Sequence, residues 1–213
     1  VSGGAPGALR ESAAQKNRGP ALANKVIVID PASNEYEAEI VYDVAQRIEG
    51  RLLALGASVF LTRGAQNNPS EAERISFTNK SSADLLISLH VDHHKNPQAR
   101  GVATFFYGSD QHGIHSIVGE KFASLVQREI CARTDFINCR THAKTWDSLR
   151  LTKAPAVRAD LGYSSNESDA ARLSQADFRN AIAESFVIAI QRLYLAAEDD
   201  AKTGTLRISD LRN

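Results

Sequence analysis

KVIVIDPASNEYEAEIVYDVAQRIEGRLLALGASVFLT, residues 25–62, changes its hydrophobic period twice. KVIVID (25–30) is a short apolar, β-branched run of the kind that becomes a buried strand. From Glu35 to Leu55 the apolar residues Ile40, Val44, Ile48, Leu52 and Leu55 recur every three or four positions, which predicts one face of an α-helix. Gly56 suits the position just past its end. SVFLT (58–62) returns to a strand pattern, and strand, helix, strand is the building unit of a parallel sheet.

The alternation continues outward from there. SEAERISFTNKS (70–81) predicts a short helix with Ser70 as N-cap and Glu73 closing a capping box, and DLLISLH (84–90) a third strand. GVATFFYG (101–108) reads as a strand and the region 115–131 as a helix with Val118, Phe122, Leu125 and Val126 inward. A less regular stretch runs to Arg150, AVRADLGY (156–163) is another strand, and a last helix near 175–196 aligns Phe178, Ile182, Phe186, Ile190 and Leu193. The expected fold is α/β: a mostly parallel, twisted sheet with helices on both faces and right-handed crossovers. Residues 1–24, with four Gly and two Pro, are expected to form a flexible linker, 25–196 the domain, and 197–213 a flexible C-terminal tail.

Composition narrows the class further. Among 213 residues, 43% are hydrophobic and 25 Lys and Arg balance 25 Asp and Glu, which excludes collagen, a disordered chain and a disulfide scaffold. Zero formal net charge argues against a nucleic-acid footprint or a polybasic membrane patch. Only Cys131 and Cys139 could pair, so cysteine usage leans toward reduced thiols and the cytosol. No apolar run reaches the roughly 20 residues of a bilayer span. A chain that opens on Val1 and contains no Met is expected to be a piece of a longer protein.

In open α/β sheets, sites form at the carboxyl ends of the strands. Three segments converge there: Asp30 to Glu39, Ser88 to His94, and Ala159 to Glu167. They bring His90, His93 and His94 near Glu35, Glu37 and Glu39, while His112 and His115 lie close together in a loop. Each has a plain structural reading. His93 and His94 suit a solvated loop, His90 a packed and hydrogen-bonded histidine, Asp160 an inward polar residue at a strand end, and the glutamates the positive end of a helix dipole. No Gly-x-Ser-x-Gly elbow, Gly-rich phosphate loop or Cys-x-x-Cys occurs.

VIVIDP, GASVFLTR, ERISFTN followed by ADLLISLH, Gly101, and PAVRADLGYSSNESDA together have a specific order and spacing. In these, residues 25–195 resemble the zinc-dependent N-acetylmuramoyl-L-alanine amidases of the amidase_3 type, which cleave the bond between N-acetylmuramic acid and L-alanine in peptidoglycan. The resemblance implies a zinc held by a His after the first strand, a Glu at the start of the first helix and a His ending the ISLH strand, with a Glu in the late strand as general base. Here His90 matches the second His and Glu37 the ligand Glu. Ser33 stands in place of the first His, Asp160 in place of the catalytic Glu, and the loop is cut to Ala32-Ser33-Asn34. Catalytic zinc needs three protein ligands and an open position, and a neutral hydroxyl is a poor substitute for imidazole. Asp160 also draws its carboxylate back by about 1 Å, a displacement that costs on the order of a hundredfold in rate. The expectation is therefore no intact catalytic residue, no metal and no hydrolysis. The alternative is a zinc amidase with a rearranged Zn²⁺ site built on His90, Glu37 and either His93 or His94. Arg63, Glu73 and Arg74 also fit the family pattern and are expected to make fold-stabilising pairs.

Within the family the resemblance extends to mycobacterial amidase-like regulators of peptidoglycan precursor synthesis. It implies a cytoplasmic pseudoenzyme that binds and activates a MurA-type UDP-N-acetylglucosamine enolpyruvyl transferase after a Ser/Thr protein kinase phosphorylates Thr203 or Thr205. A muropeptide or lipid-linked precursor held in the old groove is a further partner. Independently, Thr-Gly-Thr flanked by Lys202 and Arg207 suits a switch, since each phosphate adds roughly 1.5–2 negative charges that Arg can capture.

Overall fold

The structure, a computed structural model, describes residues 22–33, 38–109 and 113–200, the last six through their backbone. Seven strands form one sheet: β1 (Val26–Pro31), β2 (Ser58–Leu61), β3 (Leu85–Asp92), β4 (Val102–Ser109), β5 (Ile114–His115), β6 (Asn138–Lys144) and β7 (Ala156–Tyr163). The helices are α1 (Ala38–Ala54), α2 (Glu71–Lys80), α3 (Ile117–Arg133), α4 (Asp147–Arg150), α5 (Glu167–Leu173) and α6 (Ala176–Asp200). The strand order is β2-β1-β3-β7-β4-β5, and β6 also pairs with β4.

The sheet is mostly parallel, as expected, but β4 runs antiparallel to β7. The reason lies in the connection. Residues 93–101 join β3 to β4 without a helix, and a parallel crossover needs a dozen or more residues. Alternation of side chains divides the strands between two cores. Ile27, Ile29, Leu85, Ile87, Leu89, Val157 and Ala159 are buried with α1, α3 and α6, where Val44, Ile48, Phe122, Ile130, Phe186 and Ile190 are fully enclosed. Val28, Leu86 and Ala156 point the other way, against Leu149 of α4, in a much smaller cluster.

Local signals explain the element ends. The Ser70 hydroxyl accepts from the Glu73 N–H, and the Glu73 carboxylate accepts from the Ser70 N–H, so the expected capping box opens α2. Gly56, at φ +86°, turns the chain from α1 toward β2. Several expectations need correction. Val118 is 45% exposed rather than inward; it lies in the first turn of α3, which begins at Ile117. The stretch read as irregular holds β6 and α4, and α5 precedes the last helix. Leu22, placed in the linker, is fully buried, and its N–H donates to the Leu55 carbonyl. The last helix runs through Asp200, four residues into the segment read as tail.

Candidate functional site

Parallel pairing of β1 and β3 sets Asp30 opposite Ser88, so the two side chains share the thinner face of the sheet. Asp30 is buried and accepts from Thr62 Oγ1 at 2.5 Å, from Ser88 Oγ at 2.8 Å, and from Arg74 Nη1 at 3.1 Å to each carboxylate oxygen. Ser88 Oγ also lies 3.0 Å from Nε2 of His90. A hydroxyl has one proton, and an ionised carboxylate can only accept. The Ser88 proton therefore goes to Asp30, and Ser88 accepts from His90 Nε2–H. This relay favours a proton on His90 Nε2, the kind of support that orients metal-binding histidines.

His90 is in turn paired across the β3–β7 ladder with Asp160. The Asp160 side chain is 9% exposed and accepts a 2.6 Å bond from Arg158 Nε, two residues earlier on the same face of β7. Burial pushes the Asp160 carboxyl above its ordinary range; Arg158 and His90 pull it down, Asp92 adds to the rise, and the rise prevails. Arg158 is itself held. Its guanidinium carbon lies 4.8 Å from the centre of the Trp146 ring, which leans on Phe105 at 4.9 Å, and Phe105 sits opposite Arg158 in the β4–β7 ladder. Lys144 Nζ approaches the same indole at 5.7 Å.

The other expected residues do not join this group. The Ser33 hydroxyl donates to the Asn68 side-chain oxygen. His93 and His94 are exposed; His93 Nδ1 lies 3.2 Å from Ser164 Oγ, and His94 Nδ1 accepts from the Asn96 N–H at 3.0 Å. His115 pairs with Glu120 at 3.3 Å. Arg63 is buried and donates to the carbonyls of Pro31, Ala32 and Ala38, which pins the chain after β1, and Arg74 braces Asp30, so both serve the fold as expected. Glu35, Glu37, His112, Thr203 and Thr205 lie outside the described residues.

Among the described residues no three His, Cys, Asp or Glu side chains are grouped to hold a metal ion. His90 offers a nitrogen, but the Asp160 oxygen is engaged by a guanidinium and Ser33 by an amide. The described residues alone do not supply the three donors of a catalytic zinc. Arg158 and Trp146 are not among the candidate residues of the sequence, although the two-residue spacing of Arg158 and Asp160 in a strand signals that they share a face.

A sequence model of the family described as N-acetylmuramoyl-L-alanine amidase matches residues 16–192. The chain is 40% identical over 225 residues to N-acetylmuramoyl-L-alanine amidase CwlM of Mycobacterium tuberculosis, covering 99% of this chain and 55% of that protein. It is 24% identical to N-acetylmuramoyl-L-alanine amidase LytC of Bacillus subtilis, over 77% of this chain and 34% of LytC. It thus spans about half the length of the first relative and about a third of the second. Among solved structures, amidase AmiC2 of Nostoc punctiforme superposes with a TM-score of 0.72 at 21% identity, over 82% of this chain and 99% of that one. The catalytic domain of CwlV from Bacillus (Paenibacillus) polymyxa gives 0.71 at 22%, over 81% and 98%.

Proposed function

Because this chain belongs to the N-acetylmuramoyl-L-alanine amidase family, we propose that it is a member that no longer hydrolyses peptidoglycan and regulates its biosynthesis instead. In this reading it acts in the cytoplasm. It binds and activates a MurA-type enolpyruvyl transferase once a Ser/Thr protein kinase has phosphorylated Thr203 or Thr205. The old groove, if it keeps a ligand, holds a muropeptide or lipid-linked precursor uncut.

One observation supports the loss of hydrolysis: Oδ1 of the carboxylate at the position of the family's general base accepts from Arg158 at 2.6 Å, and Ser33 stands where the family pattern has a ligand His. A base needs its lone pair directed at water, and a metal needs three donors. The regulatory part rests on the resemblance to mycobacterial regulators and on the phosphate chemistry of the tail. No helix of the described residues is long and apolar enough to cross a membrane. The test is a metal analysis and a muropeptide amidase assay on the purified protein, followed by assay of the transferase with phosphorylated and unphosphorylated protein. The expected result is no zinc, no cleavage, and stimulation by the phosphorylated form alone. Stoichiometric zinc with cleavage of the amide would overturn it. That second reading, a zinc amidase, is favoured by the held tautomer of His90 and requires three side chains at about 2.0–2.2 Å from the ion.

A further inference from the structure

The Arg158–Asp160 pair does more than occupy a carboxylate. It places a permanent positive charge on the strand next to His90, the residue that matches the family's second His. Arg158 is charged at every accessible pH, and its stem rises from the same face of β7 as Asp160, opposite the strand that carries His90. Two contacts fix the guanidinium: Asp160 accepts from Nε, and the guanidinium carbon lies over the Trp146 ring, which Phe105 in turn supports from β4. A free arginine would swing toward water, since its rotamer entropy favours release. This one is 26% exposed and braced from two sides, so its charge stays in the cleft.

We infer that Arg158 is the resident cation of the cleft: it fills beside Asp160 the electrostatic place of a divalent ion and thereby excludes metal. This rests on the reading of the cleft as non-hydrolytic and adds a cause to it. Missing ligands weaken metal binding, and a fixed positive charge a few ångströms away opposes it further, because a dication and a guanidinium at that separation repel strongly even at an effective dielectric near 20. The pairing also has a geometric side. Asp160 Oδ1, on the residue paired with His90 in the β3–β7 ladder, is already the acceptor of the Arg158 Nε–H.

The experiment compares wild type, Arg158→Leu, Arg158→Met and the double variant Arg158→Leu with Asp160→Asn. Each is dialysed against zinc and against cobalt, with bound metal measured and the cobalt absorption spectrum recorded. The wild type is expected to retain neither ion. Arg158→Leu should bind at least about tenfold more tightly than wild type, with a cobalt spectrum showing nitrogen and oxygen ligation, and Asp160→Asn in the same background should abolish the gain. Circular dichroism confirms the fold of each variant. Should the Leu variant fail to fold, the Met variant, whose unbranched chain follows the arginine stem, carries the comparison. Folded Arg158 variants that bind metal no better than wild type would overturn the inference and leave the proposed function standing. A wild type that binds zinc stoichiometrically would remove both.

Discussion

The Ser88 hydroxyl sits 3.0 Å from Nε2 of His90 on the same face of β3, and its own proton is committed to Asp30 at 2.8 Å. Nitrogen-15 NMR of the imidazole is therefore expected to show the neutral His90 ring as the Nε2–H tautomer. In Ser88→Ala the ring loses that acceptor and the Nε2–H fraction falls, while Asp30 loses a donor, at a cost of about 1–2 kcal/mol in stability. A wild-type ring protonated on Nδ1 would contradict the relay.

Asp160 gives a pH signature of definite sign. Burial raises its carboxyl in the fold, against the pull of Arg158. The native chain then holds this proton at pH values where the unfolded chain has released it. Its contribution to stability declines as pH rises from about 4 through the folded-state value. Asp160→Asn removes that decline and keeps an oxygen for Arg158. The difference in stability between Asp160→Asn and wild type should move in favour of the variant as pH increases, and the two should lie within about 1 kcal/mol at neutral pH. Urea denaturation across the acid range measures it, and a difference that moves the other way would show the carboxyl lowered.

Glu129 on α3 behaves oppositely. Burial acts to raise its carboxyl, but Arg133 at 2.5 Å and Arg128 and Arg192, each at 3.1 Å, together hold it below the usual range. A carboxyl lowered in the fold contributes stability that is present above about 4.3 and lost as pH falls through the folded-state value. Glu129→Gln should cost about 1–3 kcal/mol at pH 7, and the penalty should shrink in acid. A penalty independent of pH would assign the loss to packing alone.

Gly162, two residues past Asp160, sits at φ +89°, where a Cβ would stand 2.9 Å from both Asp169 Oδ2 and Phe136 Cε1. Asp169 is buried and accepts from the N–H groups of Gly101 at 2.8 Å and Tyr163 at 3.1 Å, so this carboxylate is not free to retreat. Gly162→Ala should destabilise the protein by about 2–4 kcal/mol, from left-handed backbone strain plus the clash. Thermal unfolding reads it, and an unchanged midpoint would show that the end of β7 relaxes without cost.

The strands with long apolar runs were legible from their residues: AVRADLGY forms β7 over the same positions, and Ser70 with Glu73 opens α2 as expected. β6 was not. Its residues NCRTHAK are polar, and Arg140 bends at φ +69° where the register with β4 shifts. Strand direction is invisible to a period of two, so the reversal of β4 could be found only from the short helix-free connection before it. At the site, single residue types disclosed Ser33, His90 and Asp160, whereas the charge that neutralises Asp160 came from Arg158, a residue unremarkable until its neighbours across the sheet are known. Trp146 illustrates the same limit: hydrophobic patterns read over roughly 11–18 residues carry no information on which ring will lie under which cation.

β7 is late in the sequence yet central in the sheet, wedged between β3 and β4. Without β7, β2-β1-β3 and β4 with its partners β5 and β6 would be two separate ribbons, each with an open margin. The keystone strand joins them, and it brings Arg158 and Asp160 with it into the gap between His90 and Trp146. Completion of the site and closure of the sheet therefore depend on the same strand, through contacts distant in sequence.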